Sequence, residues 1–204
     1  MDLIRHTYEE KCRCYSDIYE HLPTLVSLTQ ECDSVAEMGV RTMVSTWAFL
    51  HGLVQSQAEK KIMYCVDIEP IPGIDKVATL ATAANIEMQF IQHDSATVVM
   101  PPVDLLFIDT WHVYGHLKRE LAFHHANVRK YILMHDTEVD AIHGESLRLG
   151  MPIHQQSIES GYPEEEITRG LKFALVEFLE SHPEWELYKH FSNNNGLTVL
   201  KRIQ

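Results

Sequence analysis

Short, nearly continuous apolar runs recur along the chain, and longer segments with helical spacing separate them. Strands covered by helices on both faces show such runs, whereas half-exposed strands alternate. The helical segments cover about 42–56, 73–84 and 114–128. The pattern predicts an α/β fold in which a Rossmann-like, mostly parallel sheet carries helices on both faces. Five apolar runs are the predicted strands: 34–39, 62–67, 88–91, 103–109 and 131–136.

The last quarter of the chain follows a different pattern. A helix predicted at about 167–181 precedes two strand-like runs, 185–191 and 197–203. Asn195-Gly196 lies in the segment between them, and Asn-Gly is a strong hairpin signal. We therefore expect a C-terminal antiparallel β-hairpin that brings the sheet to seven strands.

Neither a repeat nor an obvious linker divides the chain, so we expect a single domain over 1–204. Residues 1–33 have the apolar spacing of a helical N-terminal preface. Residues 137–166 show little pattern, and an irregular segment of this length in a compact domain is usually functional or mobile. This segment is a candidate lid over a reactive site.

The charge balance narrows the range of partners. The 204 residues hold 17 Lys and Arg against 29 Asp and Glu, a formal net charge of −12. This sign disfavours a phosphate backbone as partner, and no stretch approaches the ~20 apolar residues of a membrane-spanning helix. The four cysteines form no CxxC pair, which favours reduced thiols. We expect a soluble, cytoplasmic protein that binds neither nucleic acid nor membrane, with a homo-oligomer left open.

Acidic residues stand where the predicted strands end. Ligands of open parallel sheets bind beyond the carboxyl ends of the strands, and carboxylates gathered there repel one another unless they meet a cation or a hydroxyl-rich ligand. Each residue taken singly is also compatible with a helix N-cap or a solvated turn. The strand-end group comprises Glu37, Gly39, Asp67, Asp109, His135 and Asp136, with Asp94 just beyond its strand.

The residues after Gly39 do not form the Gly-x-Gly-x-x-Gly fingerprint, which weakens a nicotinamide dinucleotide site. Asp67 suits a ribose, because a carboxylate accepts hydrogen bonds from vicinal hydroxyls. Asp94 and Ser95 suit an adenine amino group for the same reason.

Three of these segments resemble motifs of class I S-adenosylmethionine-dependent methyltransferases. Glu37-Met38-Gly39-Val40-Arg41-Thr42-Met43-Val44-Ser45 is similar to their first motif, although Met43 stands where the group commonly has a glycine. The resemblance implies that Glu37, Gly39 and Ser45 surround the methionine part of S-adenosylmethionine. It places Asp67, in Asp67-Ile68-Glu69-Pro70, at the ribose and Asp94-Ser95 at the adenine.

A fourth segment narrows the resemblance to metal-assisted O-methyltransferases of the catechol, macrolide-sugar and cephalosporin-hydroxylase-like types. Asp109-Thr110-Trp111-His112 is similar to their Asp-x-x-His segment, and His135-Asp136 occupies the position of the second acidic pair. The resemblance implies that Asp109 contacts cofactor and metal, that Asp136 and His135 complete the metal site, and that His112 is the catalytic base.

The choice of metal depends on His135. Carboxylates suit Mg²⁺, and coordination by His135 favours Mn²⁺ or Fe²⁺. An equally good interpretation of His135 is a strand-end histidine that hydrogen-bonds to the backbone. An alternative interpretation of His112 is a loop histidine outside the site. For His116, His124 and His125 we expect a solvated helix face or packing against the sheet.

The leading hypothesis is an S-adenosylmethionine-dependent O-methyltransferase acting on a small hydroxylated acceptor, such as a sugar or sugar-bearing metabolite. A catalytically silent cofactor-binding module is an alternative. Its support is that the chain departs from the family motifs at two positions, Met43 and His135. A nucleotide-dependent oxidoreductase is a further alternative, against which the missing glycines and the hairpin argue.

Overall fold

One seven-stranded sheet organises the computed structural model, which describes residues 2–203. The strands are β1 (Ser34–Met38), β2 (Lys61–Asp67), β3 (Ile86–Gln92), β4 (Val103–Ile108), β5 (Val128–His135), β6 (Trp185–Phe191) and β7 (Leu197–Arg202). Their spatial order is β3-β2-β1-β4-β5-β7-β6. Strands β1 to β5 pair in parallel, and β7 lies antiparallel between β5 and β6. The predicted fold class and terminal hairpin are thereby confirmed.

The α-helices of the described chain are α1 (Asp2–Lys11), α2 (Leu22–Thr29), α3 (Val44–Gln55), α4 (Ile74–Ala83), α5 (Tyr114–His124), α6 (Glu145–Arg148), α7 (Ile153–Ser160), α8 (Glu164–Thr168) and α9 (Leu171–Ser181). The segment with little sequence pattern, 137–166, contains α6, α7 and most of α8. These helices have eight residues or fewer, too short for an apolar face to repeat.

Two apolar clusters cover the two faces of the sheet. One includes Phe49 and Leu53 of α3, and Phe49 packs against Phe107 of β4 with ring centroids 5.3 Å apart. The other includes Leu121 of α5 and Phe178 of α9. Every residue of β1 and β4 is buried, because these central strands lie between both clusters. Among residues 2–203 no helix is both long and apolar enough to cross a membrane.

The strand register brings the predicted site together. Met38 at the end of β1 pairs with Val66 of β2 and Ile108 of β4, and Ile108 pairs with Met134 of β5. The residues just after these positions therefore meet at one edge of the sheet. We call this edge, where β1, β2, β4 and β5 end, the carboxyl edge, and the opposite one the amino edge.

Candidate functional site

A cavity of about 1390 Å³ opens at the carboxyl edge. Parallel sheets bind their ligands at this edge, because loops and helix starts converge there. The cavity continues past Trp111 to α7 and Tyr162, so the segment suspected as a lid forms part of its wall. Five predicted binding residues line it: Gly39, Asp67, Asp94, Ser95 and Asp109.

Gly39 lets two strand ends approach each other. Its φ is +86°, and its amide donates to the Val66 carbonyl at 2.9 Å. A Cβ on Gly39 would lie 1.9 Å from the carbonyl oxygen of Asp109, an impossible contact. Two features therefore require glycine at this position: the backbone is left-handed, and the end of β1 lies too close to the Asp109 carbonyl for a Cβ.

The turn after β1 is strained and is held by Asp67. Arg41 and Met43 have φ values of 41° and 58°, a region costly for residues with a side chain. Asp67 Oδ2 accepts hydrogen bonds from the Val40 and Arg41 amides at 2.8 and 3.1 Å. Met43 thus adopts the left-handed conformation in which a glycine would be unstrained, and the turn persists without that glycine.

Asp67 has limited capacity left for a ligand. Its Oδ1 also accepts from the Glu69 amide at 3.0 Å, so three of about four acceptor sites are occupied by backbone donors. The remaining acceptor site can receive one hydroxyl. Asp67 lines the cavity, and its contact with a ribose stays a prediction.

Glu37 and Ser45 lie beside the cavity floor without lining it. Glu37 is fully buried and accepts hydrogen bonds from the hydroxyls of Ser45 at 2.5 Å and Thr46 at 2.7 Å. Burial raises the pKa of Glu37 to about 7, although these hydrogen bonds favour its ionised form. The pair fixes the start of α3 against β1, and its predicted contact with the methionine part of a cofactor stays a prediction.

His112 lies at the centre of four carboxylates behind the cavity wall. Its Nε2 is 3.1 Å from Asp109 Oδ1, and its Nδ1 is 3.2 Å from Asp136 Oδ2. The same Nδ1 lies 3.4 Å from Glu145 Oε2 and 3.6 Å from Asp140 Oδ2. Burial would lower the pKa of His112, but the carboxylates outweigh burial and hold this pKa well above its usual range.

The charges of this group do not balance without a further cation. Arg148 forms a two-point contact with Asp140, at 2.6 and 3.0 Å, and neutralises it. Asp109, Asp136 and Glu145 then face only the two histidines, His112 and His135. Even with both imidazoles protonated, these three carboxylates face only two positive charges, so the group attracts a further cation.

His135 has the features of a metal ligand. Its Nε2 lies 3.2 Å from the Asn194 carbonyl, to which it can donate a hydrogen bond. Its Nδ1 is buried without a hydrogen-bond partner, although Asp136 Oδ2 and Asp109 Oδ1 lie only 3.2 and 3.4 Å away. An imidazole that donates from one nitrogen and presents the other beside carboxylates is the usual arrangement of metal-binding histidines. The residues present therefore fit a divalent ion.

Without an ion, the same carboxylates act on the charge of His135. Burial opposes its protonation, yet Asp109 and Asp136 raise the pKa of His135 to about 10. The histidines in turn hold the pKa of Asp109 well below its usual range against the effect of burial. Asp136 has a φ of 56°, so its backbone is strained where its side chain joins the group.

The sequence reasoning missed Asp140 and Glu145. Asp140 is fully buried, and Glu145 lines the cavity as the first residue of α6. Two groups of three residues have ligand atoms within 4.8 Å of one another. One group is His112, Asp140 and Glu145, and the other is Asp109, His112 and Asp136. The only available signal was the acidic residue four places after Asp136.

The expectation of a solvated or sheet-packed helix face does not describe His116, which lines the cavity. Its Nε2 is 3.0 Å from Ser95 Oγ and 3.3 Å from the fully buried Glu120, and its Nδ1 is 3.2 Å from the Tyr162 hydroxyl. The i, i+4 spacing of His116 and Glu120 was the sequence signal for this pair. Trp111 stacks on Tyr162 with ring centroids 5.7 Å apart, so these two rings join the β4–α5 connection to the α7–α8 connection.

The fold is similar to solved structures of methyltransferases. The SAH-bound methyltransferase PaMTH1 of Podospora anserina has a TM-score of 0.56 and 15% identity, over 100% of this chain and 89% of its own. An O-methyltransferase of Bacillus cereus in complex with SAH has a TM-score of 0.54 and 12% identity, over 100% and 90%. The N-terminal domain of EvdMO1, determined in the presence of SAH and D-fucose, has a TM-score of 0.50 and 13% identity, over 93% and 84%.

No protein-family model matches the chain, and no curated protein matches its sequence. At identities of 12 to 15%, the structural likeness defines the fold. The chain has the Rossmann-like fold of class I methyltransferases, which confirms the resemblance read from its motifs at the level of architecture.

Proposed function

We propose that this protein is an S-adenosylmethionine-dependent O-methyltransferase that acts on a small hydroxylated acceptor, with a divalent metal ion and His112 as general base. One observation carries the proposal: a large cavity lined by Gly39, Asp67 and Asp94 reaches Asp109, which belongs to the histidine–carboxylate group. A methyl donor and an acceptor hydroxyl can therefore lie side by side.

The cofactor half of the cavity suits S-adenosylmethionine. Gly39 provides a close backbone approach, and the free acceptor site of Asp67 suits a ribose hydroxyl. Asp94 and Ser95 line the same cavity, and we assign them to the adenine on the motif resemblance. The acidity of the site favours a cationic sulfonium over a pyrophosphate, which supports this cofactor rather than a dinucleotide. Glu37 and Ser45 would act indirectly, because their hydrogen bond holds the turn that contacts the methionine part of the cofactor.

The reaction is an in-line displacement. The acceptor oxygen bonds to the methyl group, the sulfur keeps the electrons of the broken bond, and the hydroxyl proton goes to a base. We assign that role to His112, whose Nε2 lies 3.1 Å from Oδ1 of the cavity-lining Asp109. Positioning of the two reactants supplies much of the rate enhancement in such a transfer.

The metal would be held by Asp109, Asp136 and His135. A divalent ion in this position supplies an electrostatic hold on the acceptor oxygen and lowers the pKa of its hydroxyl. An ion held there would share the carboxylate charge that raises the pKa of His112, which would leave this imidazole able to accept a proton. The roles of metal and base are therefore coupled through Asp109 and Asp136.

The acceptor side of the cavity combines aromatic and polar groups. Trp111 and Tyr162 form a stacked wall, and Glu145, Gln156 and Glu159 supply hydrogen-bond acceptors for hydroxyls. This mixture suits a sugar or a sugar-bearing metabolite better than a flat apolar compound. Residues 137–166 would act as the lid that closes over it and excludes water.

Calorimetric titration with S-adenosylmethionine tests the cofactor assignment. We expect one binding event per chain that Asp94→Asn weakens. Absence of binding to the folded wild-type protein would overturn the proposal. Asp67→Ala is a less clean probe, because it also removes two hydrogen bonds that hold the turn after β1.

Methyl transfer to a panel of sugars and other hydroxylated compounds tests the reaction. We expect a chelator to abolish transfer and added Mg²⁺ or Mn²⁺ to restore it. Full activity in chelator would contradict the metal assignment and leave Asp109 and Asp136 as contacts for cofactor or acceptor.

Tight cofactor binding with no acceptor in the whole panel would favour the catalytically silent module, for which Met43 in the strained turn is the supporting observation. Binding of a nicotinamide dinucleotide in place of S-adenosylmethionine would favour the oxidoreductase.

A further inference from the structure

A second histidine–carboxylate group lies at the amino edge of the sheet. His125 begins the short 3₁₀ turn that leads into β5, and His182 and Glu184 connect α9 to β6. Strands β5 and β6 both run antiparallel to β7, so both begin at this edge. The eight residues of β5 separate the group from Asp136 by about 26 Å.

The three side chains are close enough to share one ion. One ligand atom of each lies within 4.8 Å of the others, and His125 Nδ1 is 3.5 Å from Glu184 Oε1. Tetrahedral zinc with ligand distances of about 2.0–2.1 Å places its ligand atoms roughly 3.3 Å apart. The pair of His125 and Glu184 already has nearly that separation, and a small side-chain movement brings in His182.

His182 is oriented with one nitrogen available. Its Nδ1 lies 3.0 Å from the Phe178 carbonyl and donates to it, and its ring stacks on Phe178 at 4.4 Å. This hydrogen bond leaves the lone pair on Nε2. A backbone carbonyl that fixes the other ring nitrogen is a regular second partner of metal-binding histidines.

His125 has an unsatisfied nitrogen. Its Nδ1 is buried without a hydrogen-bond partner, although a carboxylate lies 3.5 Å away. An unpaired buried polar atom costs stability, and a bound cation would remove that cost. Burial and the neighbouring His182 lower the pKa of His125, which keeps the imidazole in the neutral form that metals require. Arg202 is also near, but it donates to the carbonyls of His125 and Val128 and leaves Nδ1 free.

We propose that His125, His182 and Glu184 form a Zn²⁺ site that fastens the α5–β5 connection to the α9–β6 connection. Two imidazoles and one carboxylate are a ligand set that zinc accepts, with water in the fourth position. Because the site is a strand length away from Asp136 and the histidine–carboxylate group of the carboxyl edge, we assign it a structural role. It does not depend on the function proposed above.

Zinc titration of the full chain tests this site, with calorimetry for affinity and Co²⁺ absorption for coordination geometry. The titration is made on an Asp109→Asn/Asp136→Asn/Glu145→Gln background, which removes ligands from both groups around His112 at the carboxyl edge. We expect one bound ion per chain and a tetrahedral Co²⁺ spectrum. On the same background, His182→Gln and Glu184→Gln should each weaken binding by about tenfold or more.

His154→Gln is the matched control, because His154 is an exposed histidine paired with Glu164 at 2.8 Å elsewhere on the surface. It should leave zinc affinity unchanged. Glu184→Gln keeps the size of a partly exposed side chain, so circular dichroism should show an intact fold, and zinc should raise the melting temperature of the background protein but not of this variant. Zinc binding that both variants leave intact, or no binding at all by the folded background protein, would overturn the proposal.

Discussion

The two edges of the sheet carry the same residue types with opposite electrostatic outcomes. At the carboxyl edge, carboxylates outnumber histidines and raise the pKa of His135 to about 10. At the amino edge, two histidines share Glu184 near Arg202, and burial together with His182 lowers the pKa of His125. The local ratio of charges, rather than the presence of histidine, decides whether an imidazole is charged at neutral pH.

The edges also differ in backbone strain. At the carboxyl edge Arg41, Met43 and Asp136 have left-handed backbone conformations. At the amino edge the turn between α4 and β3 uses Asn85, a residue that tolerates this conformation better. Strain concentrated beside a cavity is typical of functional sites, where the surrounding structure compensates for it.

The largest expected difference between the edges concerns catalysis. We expect His112→Gln to reduce methyl transfer by about 10²- to 10⁴-fold, since a positioned base contributes that much. Affinity for S-adenosylmethionine should change little, because the proposed cofactor contacts are Gly39, Asp67 and Asp94 rather than His112. His182→Gln at the amino edge is the control and should leave turnover unchanged. Turnover is measured by methyl transfer and affinity by calorimetry; equal turnover in both variants would remove His112 from the mechanism.

A second prediction concerns the pH dependence of stability in chelator. His135 is buried and its pKa rises on folding from 6.5 to about 10, so its charge stabilises the fold fully below pH 6.5. This contribution, about 5 kcal/mol at most, is lost as pH rises from 6.5 towards 10. Urea denaturation at several pH values measures it, and the loss should be much smaller in His135→Gln.

His125 should show the opposite dependence. Its pKa is lowered on folding, so its contribution is present above pH 6.5 and is lost as pH falls below that value. His125→Gln should therefore reduce the loss of stability on the acid side. A loss on the alkaline side that depends on His125 would show that the two edges do not differ as described.

A third prediction compares two glycines with the same φ of +86°. Gly39→Ala places a Cβ 1.9 Å from the Asp109 carbonyl, whereas a Cβ on Gly73 meets nothing within 4 Å. We expect Gly39→Ala to cost about 3 kcal/mol or more of unfolding free energy and Gly73→Ala only about 1 kcal/mol. Thermal and urea denaturation of both variants measure the difference, and equal costs would mean that the close strand passage is unimportant.

The smallest expected effect tests the strain directly. Arg41→Gly should stabilise the protein by roughly 0.5–1 kcal/mol, since φ at Arg41 is 41° and its side chain is exposed. Its ion pair with Asp17, at 3.6 Å, is exposed and contributes little. Asn85→Gly at the amino edge should change stability less. A destabilised Arg41→Gly would show that the turn carries no strain that glycine relieves.

Periodicity was sufficient for the sheet and its terminal hairpin, because buried parallel strands and an Asn-Gly turn leave strong local patterns. It could not delimit α6 to α8, since helices this short depend on tertiary packing: α8 packs against α5, and α6 and α7 pack against α8. Motif spacing brought Asp109, His112 and Asp136 into one predicted site, and the structure places their ligand atoms within 4.8 Å of one another.

The order of the strands and the packing of the helices determined the remaining contacts of the site. The sequence specified which residue types end each strand, because those positions are encoded locally. Only the tertiary structure placed Asp140 and Glu145 around His112, set His116 into the cavity wall and brought His125 beside Glu184. These contacts join residues from separate elements, and burial and neighbouring charge, which fix their protonation, exist only once those elements have packed.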